Sequence, residues 1–272
     1  MSSHPDSERA PALFLGHGSP LNAIEDNRWS QGFRAIGEDL APPRAVLSIS
    51  AHWWTSGTLL TADAKPKTIH DFGNFPRELF EVRYPAPGHP DLAQRVVQLI
   101  ERSSDGAPGA ARLSEAWGLD HGTWSVLKHV FPKADIPVVQ LSLDKHKSPA
   151  EHARLGRSLS ELRAEGVLIL GSGNITHNLP DAAQRRSQGI ADAPEWARTF
   201  DGDVAELIEQ REGRRLAELW PDGTHARQAH PHPDHWLPLL YAQAAADESD
   251  AIAFPTDGFD WGSLSMRSVR WG

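Results

Sequence analysis

Four stretches of this chain join short apolar runs to histidines. In the first, from Leu13 to Pro20, three apolar residues lead into His17, which lies between two glycines. A short apolar run closed by glycine and proline is typical of a buried strand that ends in a tight turn. Related patterns occupy 48–54 and 167–178, and three histidines within 230–235 precede an apolar helical pattern. Four such stretches indicate one shared site rather than scattered surface histidines.

Helical periodicity between the apolar runs predicts the fold class. Residues 1–10 are predicted to be a disordered leader, and 11–272 one catalytic domain. Alternating strands and helices predict an α/β fold: a single-domain, mixed or mostly parallel sheet with helices on both faces. We predict strands at 12–16, 45–50, 58–62, 136–143 and 167–170, with 58–62 as a neighbour of 45–50. A hairpin of 251–255 with 263–271 is predicted near the C-terminus. Helices are predicted at 28–40, 90–103, 121–131, 149–164, 193–212 and 235–246.

Composition narrows the function. The net charge of -9, without a basic cluster, argues against a nucleic-acid partner. No apolar run approaches the roughly 20 residues that span a bilayer, and the polar first ten residues do not resemble a secretory signal. We therefore expect no membrane partner and a cytoplasmic location. The chain has no cysteine, so a metal would bind through nitrogen and oxygen ligands.

Strand ends are where ligands gather in such sheets, which favours a metal site built from His17 and His52. For a third ligand we select His235, because Pro233-Asp234 is typical of a helix start that would fix its ring. His230 is the alternative third ligand. The competing interpretation is that these are ordinary buried histidines without a metal.

Other polar side chains suit roles towards a substrate. His177 follows a Gly-Ser-Gly loop, which suits a general acid–base, with a fourth metal ligand as the alternative. His121 could hydrogen-bond a substrate or bound oxygen, with Asp120 setting its tautomer; a purely structural role is the alternative. His70, in the long irregular segment 68–90, and Asn178 are predicted to contact the substrate.

A family resemblance rests on six motifs in order. They are Gly16-His17-Gly18-Ser19-Pro20, Ser50-Ala51-His52-Trp53, His70-Asp71-Phe72-Gly73, Asp120-His121-Gly122-Thr123-Trp124, Gly171-Ser172-Gly173-Asn174 with His177-Asn178, and His230-Pro231 with Asp234-His235. With these motifs the chain resembles the DODA-type class III extradiol ring-cleavage dioxygenases, a group of aromatic-ring-opening enzymes. The resemblance covers residues 12–271.

This resemblance implies an α/β enzyme that opens a catechol ring beside its diol with O₂. It implies one non-haem iron(II) ion, often replaced by zinc in isolated proteins, with His17, His52 and His235 as ligands. By motif, His177 is the acid–base residue and His121 lies in the second coordination sphere. The small-molecule partners are then a catechol, DOPA-like or related, and O₂.

One position departs from the family pattern, and two rival functions remain open. Asn74 stands where the motif Asp-Phe-Gly-Gly-Phe-Pro has its second glycine. A zinc hydrolase could use the same histidines to activate water, and would act without consuming oxygen. A non-catalytic metal- or phenol-binding protein would bind catechol without turnover.

Overall fold

An eight-stranded sheet forms the centre of the protein. The computed structural model describes residues 9–104, 106–107 and 109–272. Within them the strand order is β4-β3-β5-β2-β6-β1-β10-β7, and β8 and β9 form a separate pair. The strands are β1 (Ala12–Gly16), β2 (Ala45–Thr55), β3 (Thr58–Thr61), β4 (Ala111–Ser114), β5 (Val138–Asp144), β6 (Val167–Gly173), β7 (Ile252–Ala253), β8 (Phe259–Asp260), β9 (Leu264–Ser265) and β10 (Val269–Trp271).

Helices surround this sheet, and none of those described has both the length and the apolar character needed to span a membrane. A short 3-10 helix covers Pro20–Ala23. The α-helices are α1 (Arg28–Glu38), α2 (Arg77–Glu81), α3 (Pro90–Ser103), α4 (His121–Val130), α5 (Pro149–Ser158), α6 (Glu161–Ala164), α7 (Leu179–Gln188), α8 (Glu195–Glu209), α9 (Gly213–Glu218), α10 (Ala226–Ala229) and α11 (Leu237–Ala245).

The middle of the sheet is parallel. β2 pairs in parallel with β5 and β6, and β6 pairs in parallel with β1. Their carboxyl ends therefore lie at one edge, where α/β proteins collect ligands. The short C-terminal strand β10 closes the other side, antiparallel to both β1 and β7. The predicted mixed, mostly parallel α/β sheet is confirmed, including the antiparallel pairing near the C-terminus.

Apolar residues of the central strands alternate between two cores. In β1, Phe14 packs with the core that includes α3, α5, α8 and α11. Leu13 and Leu15 pack with the opposite core, which includes α1 and α4. Successive strand side chains point to opposite faces, so this division shows that helices cover both faces of the sheet.

Helix caps agree with the sequence signals. Asn27 caps α1 by accepting hydrogen bonds from the backbone N–H groups of Trp29 and Ser30. Ser148 and Glu151 form the expected capping box at α5. The predicted helix 149–164 is interrupted, however, and its second part is the separate helix α6.

Several predicted boundaries need correction. β3 pairs with β4 and β5, so it is not the neighbour of β2. β4 and α7 were not predicted, because most of their residues are exposed or half-buried and carry little apolar periodicity. Residues 1–8 of the predicted leader lie outside the described residues. Arg9 and Ala10 contact the domain, because Arg9 pairs with Asp247 and Ala10 is buried.

Candidate active site

Five histidines from distant parts of the chain meet at the carboxyl edge of the sheet. His17 follows β1, His52 lies in β2, and His121 begins α4; His177 follows β6, and His235 precedes α11. Ring centroids of His17 lie 5.1 Å from those of both His52 and His235, and those of His52 and His235 are 4.9 Å apart. His52 and His121 are 3.8 Å apart, and His177 stacks on His235 at 3.3 Å. The structure therefore brings together the histidines that the sequence selected for metal binding (His17, His52 and His235), proton transfer (His177) and hydrogen bonding to a substrate (His121).

The tautomer of His17 follows from its hydrogen bonds. The Ser172 hydroxyl donates to the backbone carbonyl of Gly122, so its proton is already used. Ser172 Oγ must therefore accept from His17 Nδ1, which lies 2.9 Å away. The other ring nitrogen, Nε2, then carries a lone pair, as a metal ligand requires.

The spacing of His17 and His52 fits two ligands of one ion. Their Nε2 atoms are 3.2 Å apart. Two nitrogens about 2.1 Å from a common metal, at angles between octahedral and tetrahedral, would be separated by about 3.0–3.4 Å. The observed separation therefore suits shared coordination without movement of either strand.

His235 contributes a buried nitrogen without a partner. Its Nδ1 donates to Asp234 Oδ2 at 3.0 Å, which leaves Nε2 as the lone-pair nitrogen. That Nε2 is buried and makes no hydrogen bond. A buried polar atom without a hydrogen-bond partner destabilises the folded state, and coordination of a cation would remove that free-energy penalty. A carboxylate behind the ring is also the usual support of a metal-binding histidine.

His121 is held by Asp71. The Asp71 carboxylate accepts from the backbone N–H and the Nδ1 of His121, both at 2.9 Å. Among the described residues, the histidines whose ligand nitrogens all lie within 4.8 Å of one another are His17, His52 and His121, and His235 is not in that group. His121 therefore competes with His235 as the third ligand. Among these histidines only His235 has a buried ring nitrogen without a hydrogen-bond partner, which favours His235.

The predicted role of Asp120 is wrong. Asp71, rather than Asp120, sets the tautomer of His121. Asp120 instead caps α4 through the N–H of Thr123 and accepts from Ser50 Oγ at 2.7 Å and from the Gln140 amide. Burial, followed by the nearby charge of Asp71, raises the pKa of Asp120 to about 6. Asp120 thus fastens α4 to the sheet beneath the histidines.

Three of the histidines are held in the neutral form that binds metals. Burial, reinforced by repulsion from neighbouring imidazoles, lowers the pKa of His17, His52 and His177 well below its usual range. Burial opposes ionisation of Asp234, but its electrostatic interaction with His235 and the hydrogen bond from that ring prevail and lower the pKa of its carboxyl group. Neutral imidazoles beside an ionised carboxylate suit a divalent cation.

A cavity of about 350 Å³ opens onto the cluster. Histidines form one part of its lining, and apolar side chains form much of the rest. The lining consists of His17, Gly18, Ser19, Pro20, His52, Phe72, Phe75, His121, His177, Leu179, Asp234, His235, Trp261 and Leu264. A second cavity of about 290 Å³ shares His52 and Asp234 with it and is also lined by Trp54 and His232.

Three predicted site residues have other partners. His230, the alternative metal ligand, is buried and donates from Nε2 to the Ile175 carbonyl at 2.7 Å, with its ring against Phe200 and Trp236. This contact occupies Nε2 and leaves Nδ1 buried without a hydrogen-bond partner. His230 does not line the cavity onto which the other five histidines open.

The two predicted substrate contacts are similarly engaged. His70 Nε2 lies 3.0 Å from the Val82 carbonyl. Asn178 caps α7 and donates to the Gln228 carbonyl. Neither belongs to the cavity lining, because each is tied to neighbouring backbone.

Sequence reasoning assigned no role to Asp71, Ser172 or Trp261. The first two lie inside the quoted motifs His-Asp-Phe-Gly and Gly-Ser-Gly, so a search for partners of each histidine within the motifs would have found them. Trp261 lies outside every motif, and only the fold brings it to the cavity.

Comparisons with known proteins agree with this architecture. The family described as "Catalytic LigB subunit of aromatic ring-opening dioxygenase" matches residues 11–265. The chain is 45% identical over 270 residues to the 4,5-DOPA dioxygenase extradiol of Escherichia coli (strain K12), covering 98% of this chain and 96% of that one. The enzyme of the same name from Beta vulgaris is 34% identical over 262 residues, covering 95% of each chain.

A solved structure has the same fold. The crystal structure of an uncharacterized Escherichia coli K12 protein superposes with a TM-score of 0.81 at 40% identity, covering 97% of this chain and 100% of that one. The likeness therefore extends over nearly the whole chain.

Proposed function

This chain belongs to the family of catalytic LigB subunits of aromatic ring-opening dioxygenases, and we propose that it is a non-haem iron(II) extradiol dioxygenase. Its substrates are a catechol, DOPA-like or related, and O₂, and 11–272 form one catalytic domain. The observation that carries the proposal is the 3.2 Å separation of the Nε2 atoms of His17 and His52, in a histidine cluster where His235 has a buried Nε2 without a hydrogen-bond partner.

We assign the metal to His17, His52 and His235. Their second ring nitrogens face, respectively, a serine hydroxyl, the Asp71 carboxylate at 3.6 Å and Asp234. Such outer partners fix ring orientation before any ion arrives. When bound there, iron(II) supplies a Lewis acid for the catechol oxygens and a route for electrons to O₂.

His177 is the proposed acid–base residue. It lines the cavity and stacks on the ring of His235, so it lies beside any molecule held by the cluster. Its backbone N–H donates to the Ala229 carbonyl at 2.8 Å, which fixes this segment. From this position His177 can accept a proton from a catechol hydroxyl and later return one to the opening ring.

His121 and the aromatic wall orient the substrate. Because Nδ1 of His121 donates to Asp71, the neutral ring presents Nε2 as a hydrogen-bond acceptor. Phe72 packs edge-on against His121 with ring centroids 5.3 Å apart, and it also lines the cavity. Phe72 and the other apolar side chains of the cavity lining exclude water from the site and hold a flat ring near His177.

The test is oxygen uptake by protein that is stripped of metal and reloaded with iron(II) under nitrogen. A panel of catechols that includes L-DOPA should give oxygen consumption and a new chromophore from the ring-opened semialdehyde. A zinc-loaded sample should bind catechol but consume no oxygen, because zinc has no redox chemistry. Confirmed iron loading without oxygen uptake for any catechol would overturn the proposal in favour of a hydrolase or a binding protein.

A further inference from the structure

We propose that Trp261 orients the substrate by packing against the substituent of the catechol ring, and that Arg186 holds its indole in position. This inference rests on the proposed ring-opening function. Trp261 lines the cavity, whereas Arg186 lies outside the lining and places its guanidinium 4.1 Å from the indole centroid. The arginine therefore supports the indole from outside the cavity by a cation–π contact.

The backbone at Trp261 is unusual for a large side chain. Trp261 lies in the turn between β8 and β9 and has a φ of +48°. Its N–H donates to Asp260 Oδ1 at 3.0 Å, which helps to hold this conformation. A bulky residue rarely occupies the left-handed region without a compensating role, and such strain concentrates at ligand sites. Here the turn directs a tryptophan to the cavity.

The hairpin that carries Trp261 is tied to the segment that carries His177. The Thr176 hydroxyl donates to the Ser263 carbonyl at 2.7 Å and accepts from the Ser265 N–H at 2.8 Å. Thr176 is fully buried and immediately precedes His177. The indole and the proposed acid–base imidazole are therefore held in a fixed relation.

Helix α7 sets the distance between the two ends of the cavity. Leu179, at its first position, lines the cavity two residues after His177. Arg186 follows seven residues later, which corresponds to roughly 10 Å along the helix axis. Arg186 contacts Trp261, so the same helix adjoins the cavity at Leu179 and supports the indole about two turns later. That length leaves room for a catechol bound by its diol and extended by a substituent.

Contacts with apolar surface, rather than an ion pair, would recognise this substituent. The lining residues are all described, and none is a lysine or an arginine; the one carboxylate in the lining, Asp234, accepts a hydrogen bond from His235. Phe72, Phe75, Leu179 and Leu264 accompany Trp261 in the wall. Trp261 should therefore discriminate between substituted catechols and catechol itself, whatever charge the substituent carries at its far end.

The experiment measures binding and turnover for Trp261→Ala with catechol, 4-ethylcatechol, dopamine and L-DOPA. Calorimetry on zinc-loaded protein gives Kd without turnover, and oxygen uptake by iron-loaded protein gives kcat and KM. For the three substituted catechols we expect Kd and KM to rise about tenfold to a hundredfold, as loss of an aromatic contact predicts. Values for catechol itself should change less than about threefold, and kcat should change little. Trp261→Gly, which accepts the left-handed backbone, provides a second variant if the alanine protein folds poorly.

Two further variants isolate the roles. Trp54→Ala removes an exposed tryptophan from the neighbouring cavity and should leave all four Kd values unchanged. Arg186 is exposed, so Arg186→Met should raise Kd for substituted catechols about twofold to fivefold, the range of an exposed cation–π contact, and Arg186→Lys should restore most of the loss.

Three outcomes would overturn the inference. Equal losses for catechol and its derivatives in Trp261→Ala would show a general structural role. A selective loss in Trp54→Ala would place the substituent in the other cavity. A loss in Arg186→Met confined to L-DOPA would show that the arginine binds the carboxylate directly. Failure of the proposed function looks different, because oxygen uptake would be absent for every catechol while calorimetry still resolved the pattern.

Discussion

The buried guanidinium of Arg163 joins the two ends of the described chain. Its Nε donates to the Ala10 carbonyl at 2.7 Å, and its terminal nitrogens donate to the carbonyls of Ala245 and Trp271 at 3.0 and 3.3 Å. Both terminal nitrogens also pair with the Asp250 carboxylate. Arg163 has no exposed surface, so these partners share a single buried charge.

Replacement of Arg163 by methionine should strongly destabilise the protein. The substitution keeps an apolar side chain of similar length but removes the guanidinium donor from one carboxylate and three backbone carbonyls. Breaking a buried ion pair from one side costs about 3–5 kcal/mol. For a domain of this size each 1 kcal/mol lowers Tm by roughly 2–4 °C, so we expect a decrease of about 6–20 °C. Urea unfolding and calorimetry at equal metal content measure the loss.

An exposed ion pair provides the matched control. Arg77 pairs with Glu81 through side chains that are 92% and 61% exposed. Arg77→Met should therefore cost less than about 1 kcal/mol. A double variant, Arg163→Met with Asp250→Asn, should lose less than the sum of its single changes because the stranded charge is gone. The reasoning is refuted if Arg163→Met costs no more than Arg77→Met.

Three other changes probe the site and the acid limit of stability. His177→Ala should keep full metal content in elemental analysis yet lose about a hundredfold to ten-thousandfold in turnover, the contribution of a general acid–base; unchanged turnover would remove its role. Ser172→Ala deprives His17 Nδ1 of its acceptor and should weaken metal affinity about tenfold or more in chelator competition, whereas wild-type affinity would contradict that contact. Burial lowers the pKa of His152 from 6.5 to about 4, so as the pH drops the unfolded chain takes up the proton first and the free energy of unfolding falls. Between pH 7 and pH 5 this decrease amounts to about 2 kcal/mol. In urea titrations at several pH values, His152→Gln should lack this contribution to the pH dependence of the free energy of unfolding.

Much of the site could be predicted because strand ends are local signals. The runs into His17 and His52 each predicted a strand that leads to a histidine, and parallel pairing brings these segments together. The strand at His52 is longer than predicted, because β2 continues through His52 to Thr55. The helix N-caps Asn27 and Ser148 were also predicted correctly, since capping depends on residues that are neighbours in sequence.

Partners from distant segments could not be predicted in the same way. Asp120 adjoins His121 in sequence, but the carboxylate on its ring comes from Asp71, 50 residues away. The neighbours of β3 depend on long-range pairing, which its own sequence does not encode. From the sequence, His230 was a plausible ligand. In the structure its Nε2 donates a hydrogen bond to the Ile175 carbonyl, a contact between segments that are 55 residues apart.

Asn74 shows how structure explains a sequence departure. It stands where the family motif has glycine, and its φ is +60°. Asparagine is among the residues that best tolerate the left-handed region, so the turn between Phe72 and Phe75 is retained. Both phenylalanines accordingly line the cavity.

Isotope labelling of the product tests the central claim most directly. Iron-loaded protein would convert a catechol under ¹⁸O₂ in ordinary water, and mass spectrometry would read the ring-opened product promptly, before its aldehyde oxygen exchanges with solvent. The account predicts that both atoms of one O₂ molecule enter the product. A product whose new oxygen comes only from water, or no ring-opened product from fully iron-loaded protein, would contradict it.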